Sequence, residues 1–266
     1  MSPEDTNLNA DLMSDETTQA PQTAPGAAGA RTAAVIPAAG RGVRLGPGAP
    51  KALRTLGGTP MLVHAVRAMA ASRAVSLVVV VAPADGTAEV KALLDAHTLP
   101  ERTDFLVVPG GENRQDSVKA GLDALPPGYD TVLVHDAARP LVPVDTVDAV
   151  IEAVRDGAVA VVPALPLADT VKEVEPAAEG PEPVVATPQR ARLRAVQTPQ
   201  GFERATLVRA HETVTDNVTD DASMVEQLGL PVVVVPGHEE AFKVTRPLDL
   251  VLAEAVLARR RKNDGF

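Results

Sequence analysis

The sequence predicts an α/β protein whose central sheet is mostly parallel and covered by helices on both faces. Short, continuously apolar segments such as AVSLVVVVAPA alternate with helical segments along most of the chain. Strands that are apolar throughout are typical of parallel sheets buried on both faces. Hydrophobic residues make up 45% of the chain and aromatic residues only 2%, so valine, leucine and alanine must form the core.

The elements follow a regular order that defines one domain over residues 32–260. We predict strands at 32–37, 76–82, 104–108, 131–135 and 158–163, and helices at 60–72, 87–97, 114–125 and 145–155. After residue 197 the pattern returns, with helices at 202–212, 220–228 and 247–260 and strands at 231–235 and near 242–245.

The two chain ends lie outside this pattern. Residues 1–31 are rich in Ala, Pro, Thr, Gly and acidic residues, without periodicity. Such a segment cannot bury enough apolar surface to order itself, so we predict a disordered tail. The basic residues RRRK suit the C-terminus of the last helix, and residues 261–266 are predicted to form a basic tail.

Residues 169–197 are predicted to form a protruding β-hairpin arm. The segments TVKEV and RLRAV alternate polar and apolar residues, and the Pro- and Gly-containing loop EPAAEGPEPVVATPQR joins them. A two-stranded ribbon is marginally stable in water, so we expect the arm to pack on a second copy of the chain. The arm therefore predicts a homodimer.

Composition excludes several classes of function. The formal net charge of -10 argues against nucleic acid or an acidic membrane surface as a partner. The absence of cysteine excludes disulfides, thiolate catalysis and cysteine metal sites. The N-terminus lacks a secretory apolar region, and AVSLVVVVAPA is roughly half the length that spans a bilayer. We therefore predict a cytoplasmic protein.

The segment AAVIPAAGRGVRLGPGAPKAL begins on the first strand and continues into a long glycine-containing loop. Its G-x-G-x-x-x-G spacing and its run into PGAP do not match the dinucleotide fingerprint, and Lys51 lies outside any Gly-Lys-Ser/Thr P-loop. Such a loop, carrying Arg41, Arg44 and Lys51, can wrap a triphosphate. The alternative is a surface connection with solvated basic residues.

Three further segments contain candidate site residues. In PGGENRQDSVKAGL, two glycines precede the start of a helix, and Asp116 and Ser117 lie just inside that helix. Taken by itself, this segment indicates a tight turn followed by a capped helix. VLVHDAARP places Asp136 at the carboxyl end of a strand, where it can bind Mg²⁺, cap a turn or pair with Arg139. AFKVTRP places Lys243 before the last helix. The histidines of the chain do not have the spacing of metal ligands.

Together these motifs, with DTVK, QTPQGF and TDDASMVE, resemble the 2-C-methyl-D-erythritol 4-phosphate cytidylyltransferases of the non-mevalonate isoprenoid pathway. The resemblance runs from about residue 32 to 258. It implies a Rossmann-like nucleotidyltransferase fold, CTP and 2-C-methyl-D-erythritol 4-phosphate as substrates, Mg²⁺, and a homodimer joined through the arm. Ribitol-5-phosphate cytidylyltransferases share these motifs, and a noncatalytic nucleotide-binding regulator is a further alternative.

The resemblance also implies roles for particular residues of this chain. It assigns the cytosine and nucleotide contacts to Ala38, Ala39, Gly40, Gly111 and Ser117, with Asp136 on the nucleotide and Mg²⁺. It assigns the catalytic cations Arg44, Lys51 and Lys243, and the acceptor contacts Thr170, Arg190 and Thr245. The chain departs from the family's usual pattern at Ala52, where glutamine is common, and Arg192 and Arg194 compete with Arg190 for its role.

Overall fold

The computed structural model describes residues 31–40, 50–215 and 218–263. The predicted N-terminal tail apart from Arg31, the glycine loop from Arg41 to residue 49, and the last three residues lie outside this part of the chain. The role predicted for Arg44 therefore lies outside the described residues. Residues 261–263, predicted to be tail, extend the last helix instead.

Twelve strands and seven α-helices lie within the described ranges. The strands are β1 Arg31–Pro37, β2 Thr55–Leu56, β3 Thr59–Pro60, β4 Val75–Ala82, β5 Asp104–Pro109, β6 Tyr129–Val134, β7 Ala160–Pro166, β8 Glu173–Val174, β9 Val184–Ala186, β10 Arg194–Val196, β11 Gln200–Glu203 and β12 Val233–Pro236. The helices are α1 Met61–Ala71, α2 Thr87–Asp95, α3 Arg114–Asp123, α4 Val144–Arg155, α5 Arg204–Thr213, α6 Asp221–Gln227 and α7 Pro247–Asn263.

The central sheet has eight strands and is mostly parallel, as predicted. Strands β5, β4, β1 and β6 pair in that order, all parallel. Strand β11 lies antiparallel between β6 and β7, and β12 pairs parallel with the other edge of β7. The carboxyl ends of six parallel strands therefore meet at one edge of the sheet, where open α/β folds bind ligands.

Helices cover both faces of the sheet because its strands are apolar on both faces. Ala34 and Ile36 of β1 pack in a buried cluster with residues of α1 and α4. Ala33 and Val35 point the other way, into a second cluster with residues of α3, α5 and α6. This alternation follows from the two-residue period of a strand.

Helix α3 lies very close to the sheet, which requires glycine at one position. A Cβ atom on Gly121 would lie 2.5 Å from Cγ1 of Val35 on β1. The N-terminus of α3 is thereby fixed relative to the carboxyl end of β1, which positions the site described below.

The predicted pairing within the arm is wrong. Strand β8 pairs antiparallel with β9, which lies in the segment predicted to be loop. The RLRAV segment contributes β10, which pairs antiparallel with β7 in the central sheet. Polar-apolar alternation identifies strands but not their partners, and the unpaired end of β7 was available to β10. The arm therefore comprises residues 169–193.

In the C-terminal half, the helix predicted at 202–212 is confirmed as α5 apart from its first two residues, and one smaller prediction is wrong. Strand β11 occupies the start of the segment predicted as helix 202–212. The short strand expected near 242–245 is an extended connection, in which the Val244 amide donates a single hydrogen bond to the Ala138 carbonyl, 2.8 Å away.

None of the helices in the described ranges has the length and apolar character needed to cross a membrane.

Candidate nucleotide-binding site

A cavity of about 300 Å³ lies beyond the carboxyl ends of β1 and β6 and the N-terminus of α3. Eight of the residues singled out in the sequence line it, namely Ala38, Ala39, Gly40, Lys51, Gly111, Ser117, Asp136 and Lys243. They come from five separate segments of the chain, so the fold brings the predicted nucleotide contacts and cations together.

One wall of the cavity is backbone that follows β1 and β5. The Ala38 amide donates to the Val81 carbonyl at 2.8 Å, and the Gly110 amide donates to the Ala82 carbonyl at 2.8 Å. A Cβ atom on Gly111 would lie 2.3 Å from Cβ of Asp116, so only glycine fits there. Glycines at such a position let a ligand approach the backbone closely.

The start of α3 combines a cap with the predicted Ser117. Asn113 is the N-cap, and its side chain accepts a 2.9 Å hydrogen bond from the Asp116 amide. The Ser117 hydroxyl donates to the Asn113 carbonyl at 2.8 Å, which leaves its oxygen able to accept from a ligand. The capping interpretation is thus correct for this helix, with Asn113 as the capping residue.

Asp136 is the centre of a cluster of cations. Its Oδ2 atom lies 2.8 Å from Nζ of Lys243 and 3.8 Å from Nε of Arg139, and its Oδ1 atom lies 3.7 Å from Nε of Arg114. Burial raises the pKa of this carboxyl, but the charges of Lys243, Arg114 and Arg139 outweigh it and lower the pKa to about 2. Asp136 is therefore ionised at neutral pH.

A buried histidine fixes the turn that carries Asp136. Burial lowers the pKa of His135 to about 4, so its ring is neutral. Its Nε2 atom lies 3.1 Å from the Arg139 carbonyl, which can only accept, so Nε2 carries the proton. Nδ1 therefore accepts from the Thr198 hydroxyl, 3.0 Å away, and the oxygen of that hydroxyl accepts from the Asp136 amide at 3.0 Å.

Lys51 also lines the cavity and begins a short 3-10 helix over Lys51–Leu53. Hydrogen bonding from the Arg246 amide lowers the pKa of Asp249, and the charge of Lys51 adds to this shift. Asp249 also accepts from the Thr245 amide at 2.7 Å, at the start of α7. The beginning of α7 is thus close to Lys51.

The predicted acceptor residues are not part of this cavity. Thr170 and Arg190 are exposed on the arm, and the Arg190 guanidinium donates to the Ala168 carbonyl. Thr245 does not line the cavity either, and its hydroxyl donates to the Lys243 carbonyl at 3.2 Å. A single chain therefore brings together the predicted nucleotide contacts without the predicted acceptor contacts.

The residues around Asp136 fit a magnesium ion only in company with a ligand. The described segments contain no group of three or more His, Cys, Asp or Glu side chains able to hold a metal. Mg²⁺, however, commonly takes one or two carboxylates and completes its shell with water and substrate phosphates. An ionised Asp136 on the wall of the cavity supplies one such carboxylate.

Sequence reasoning missed one cationic residue of the cavity wall. Arg114 is the first residue of α3, lines the cavity, and pairs with both Asp136 and Asp221. It stands inside the quoted PGGENRQDSVKAGL segment, so its position at the start of the predicted helix was visible. Its ion-pair partners were not, because they lie 22 or more residues away along the chain.

The mostly parallel sheet, with a cation-lined cavity beyond its carboxyl edge, defines a Rossmann-like fold with a site suited to a phosphate-bearing ligand. The protein-family model of 2-C-methyl-D-erythritol 4-phosphate cytidylyltransferase (IspD) matches residues 32–259. This chain belongs to that family of enzymes.

Relatives and solved structures agree with this assignment. The chain is 89% identical over 244 residues to the 2-C-methyl-D-erythritol 4-phosphate cytidylyltransferase of Streptomyces avermitilis, covering 91% of this chain and 98% of that protein. A Streptomyces coelicolor protein of the same name is 87% identical, with 89% of this chain and 88% of that protein covered.

The fold resembles solved structures from more distant bacteria. The 4-diphosphocytidyl-2C-methyl-D-erythritol synthase of Anaerococcus prevotii has a TM-score of 0.73 at 27% identity and covers 86% of this chain and 99% of its own. The 2-C-methyl-D-erythritol 4-phosphate cytidylyltransferase of Thermus thermophilus has a TM-score of 0.66 at 36% identity, with 85% and 98% covered.

Proposed function

We propose that this protein transfers CMP from CTP to 2-C-methyl-D-erythritol 4-phosphate. The products are 4-diphosphocytidyl-2-C-methyl-D-erythritol and pyrophosphate, in isoprenoid precursor biosynthesis. The observation that carries the proposal is the cavity itself, where Lys51, Lys243 and Arg114 converge with the glycine-containing backbone of two loops. Family membership supports CTP as the nucleotide and 2-C-methyl-D-erythritol 4-phosphate as the acceptor.

The nucleophile needs no general base. A phosphate monoester has a second pKa near ~6, so the acceptor is largely dianionic at neutral pH and its oxygen can attack the α-phosphorus directly. His135, which directly precedes Asp136, is buried and neutral, with both ring nitrogens in hydrogen bonds. We assign it the structural role of holding the Asp136 turn.

The barrier that remains is electrostatic, because a dianion must approach a polyanionic triphosphate. Cations placed at the cavity wall offset this repulsion and stabilise the charge of the transition state and of the leaving pyrophosphate. We assign this role to Lys51 and Lys243, together with Arg44 of the glycine loop. Lys243 now pairs with Asp136 at 2.8 Å, and a bound phosphate would share its donors.

We further propose that Mg²⁺ binds with CTP, held by Asp136 and by phosphate oxygens. The ion would neutralise part of the triphosphate charge. Asp136 suits this role because its carboxylate is ionised and sits on the cavity wall. Ala38, Ala39, Gly40, Gly111 and Ser117 are proposed to contact the nucleotide, with the Ser117 oxygen as an acceptor for it.

We propose a homodimer in which the arm of one subunit completes the site of the other. The arm exposes Val184 and Val185, each 56% accessible, and β8 and β9 form a sheet of their own. Such a ribbon needs a surface to cover its apolar side chains. Thr170 and Arg190 would reach the acceptor phosphate from that position, which explains why they lie outside the cavity of their own chain. A cytoplasmic location stays a prediction.

A side-by-side acceptor assay tests this function. Pyrophosphate release from CTP is measured with 2-C-methyl-D-erythritol 4-phosphate and with ribitol 5-phosphate at equal concentrations. We expect turnover with the methylerythritol substrate. Preference for ribitol 5-phosphate would show that it is the acceptor in place of the methylerythritol phosphate. CTP binding by calorimetry, without turnover on either acceptor, would favour a noncatalytic regulator.

A further inference from the structure

A buried carboxylate lies behind the nucleotide cavity and is not part of its wall. Asp221, the first residue of α6, has only 1% of its side chain exposed. Its Oδ1 atom accepts a hydrogen bond from Nε2 of the buried His211 at 3.1 Å. Its Oδ2 atom lies 2.7 Å from Nη1 of Arg114. A buried charge is tolerable only when it is paired in this way.

Arg114 connects this carboxylate to the cavity. Its guanidinium pairs through Nη1 with Asp221 and lies with Nε 3.7 Å from Oδ1 of Asp136. About a third of the Arg114 side chain is exposed, and the residue lines the cavity. Guanidinium is a planar fork with five donors, so anchoring one corner fixes the direction of the others.

We infer that Asp221 is a positioning residue for the nucleotide site, because its ion pair holds Arg114 in place to donate to bound CTP. The inference rests on the proposed function and adds Arg114 to the groups that bind the nucleotide. Without Asp221, the Arg114 guanidinium would be drawn to Asp136, whose Oδ1 atom already lies 3.7 Å from Nε of Arg114, and away from the ligand. The arrangement thus gives CTP a preorganised donor at little ordering cost.

The neighbouring aspartate provides a matched comparison. Asp220 is the N-cap of α6, where its Oδ1 atom accepts from the Ser223 amide at 3.0 Å. Its Oδ2 atom accepts from the side chain of Gln200 at 2.7 Å. Two adjacent carboxylates therefore serve one short helix differently, since Asp220 stabilises α6 and Asp221 reaches Arg114.

The test compares CTP binding by calorimetry in Asp221→Asn, Asp220→Asn, Arg114→Gln and the double variant Asp221→Asn with Arg114→Gln. We expect Asp221→Asn to weaken CTP binding about tenfold, the low end for a charge-assisted hydrogen bond, and to add nothing in the Arg114→Gln background. Asp220→Asn keeps an oxygen that can cap α6, so it should change thermal stability little and leave the Kd for CTP within about twofold of wild type. Equal effects of Asp221→Asn and Asp220→Asn, or additivity in the double variant, would overturn the inference.

A second variant covers the case in which Asp221→Asn does not fold. Arg114→Lys keeps the charge at a partly exposed position but removes the planar fork, so CTP binding should weaken severalfold. Wild-type affinity in Arg114→Lys would overturn the inference as well. Turnover of the wild type with both substrates is measured alongside, because its absence would count against the proposed reaction and leave the CTP-binding comparison intact.

Discussion

The cavity around Asp136 and the arm both contain predicted substrate contacts, but the structure holds the two regions by different means. Cavity residues follow strands of a buried sheet, and ion pairs with Lys243, Arg114 and Arg139 fix the carboxylate. The arm is a two-stranded sheet of its own, with valines exposed. The cavity is therefore built by the chain alone, whereas the role proposed for the arm depends on a second subunit.

The largest effect should come from removing a cavity cation. We expect Lys243→Ala, and likewise Lys51→Ala, to lower turnover by at least ~10²-fold, the usual loss for one donor that stabilises transition-state charge. The measurement is steady-state pyrophosphate release. Lys119→Ala is the control, because Lys119 pairs with Asp123 on the exposed surface of α3 and does not line the cavity. Near-normal turnover of Lys243→Ala would contradict the catalytic role assigned to Lys243.

Mixing two inactive variants distinguishes the cavity from the arm most directly. Lys243→Ala disables the cavity and Arg190→Ala disables the arm. If the arm acts on the partner's site, mixed dimers contain one intact site, and roughly a quarter of wild-type activity should return after subunit exchange. Each variant mixed with itself is the control. No recovery, with exchange verified by mass spectrometry, would mean that each arm serves its own chain.

Stability should respond to the core beneath the cavity and not to the arm. Gly121→Val places a side chain against Val35 of β1, where even a Cβ atom would be 2.5 Å away, and we expect a loss of about 2 kcal/mol in unfolding free energy. Gly180→Ala, at a φ of +84° in the arm with no atom near the new Cβ, should strain only the arm. Urea unfolding of both variants checks this, and a larger loss for Gly180→Ala would make the arm part of the cooperative core.

The smallest effect is the pH dependence that Asp136 contributes. Its pKa is about 2 in the folded chain against 3.8 ordinarily, so its contribution is present above pH 3.8 and is lost as pH falls toward 2. Linkage predicts that the wild type loses about 1 kcal/mol more than Asp136→Asn between pH 5 and pH 3. Urea unfolding at the two pH values measures the difference. Equal losses in the two proteins would show that the cations do not hold the carboxylate.

The sequence by itself determined the alternation of strands and helices, the parallel sheet and most of the cavity residues. These depend on local signals: apolar runs, glycines after a strand, and polar residues at a strand end, such as Asp136, or in the first turn of a helix, such as Ser117. Such signals predict where a strand ends, and the carboxyl ends of parallel strands necessarily meet at one edge of the sheet.

Only the tertiary structure decided which segments pair and which charges meet. RLRAV could pair with the arm or with β7, and its two-residue alternation fits both. Likewise, TDDASMVE gives two similar aspartates, and only the packing of α6 beside α3 places Asp221 2.7 Å from Arg114 while Asp220 caps the helix. Pairing and ion-pair geometry depend on residues distant in the chain, so no local pattern encodes them.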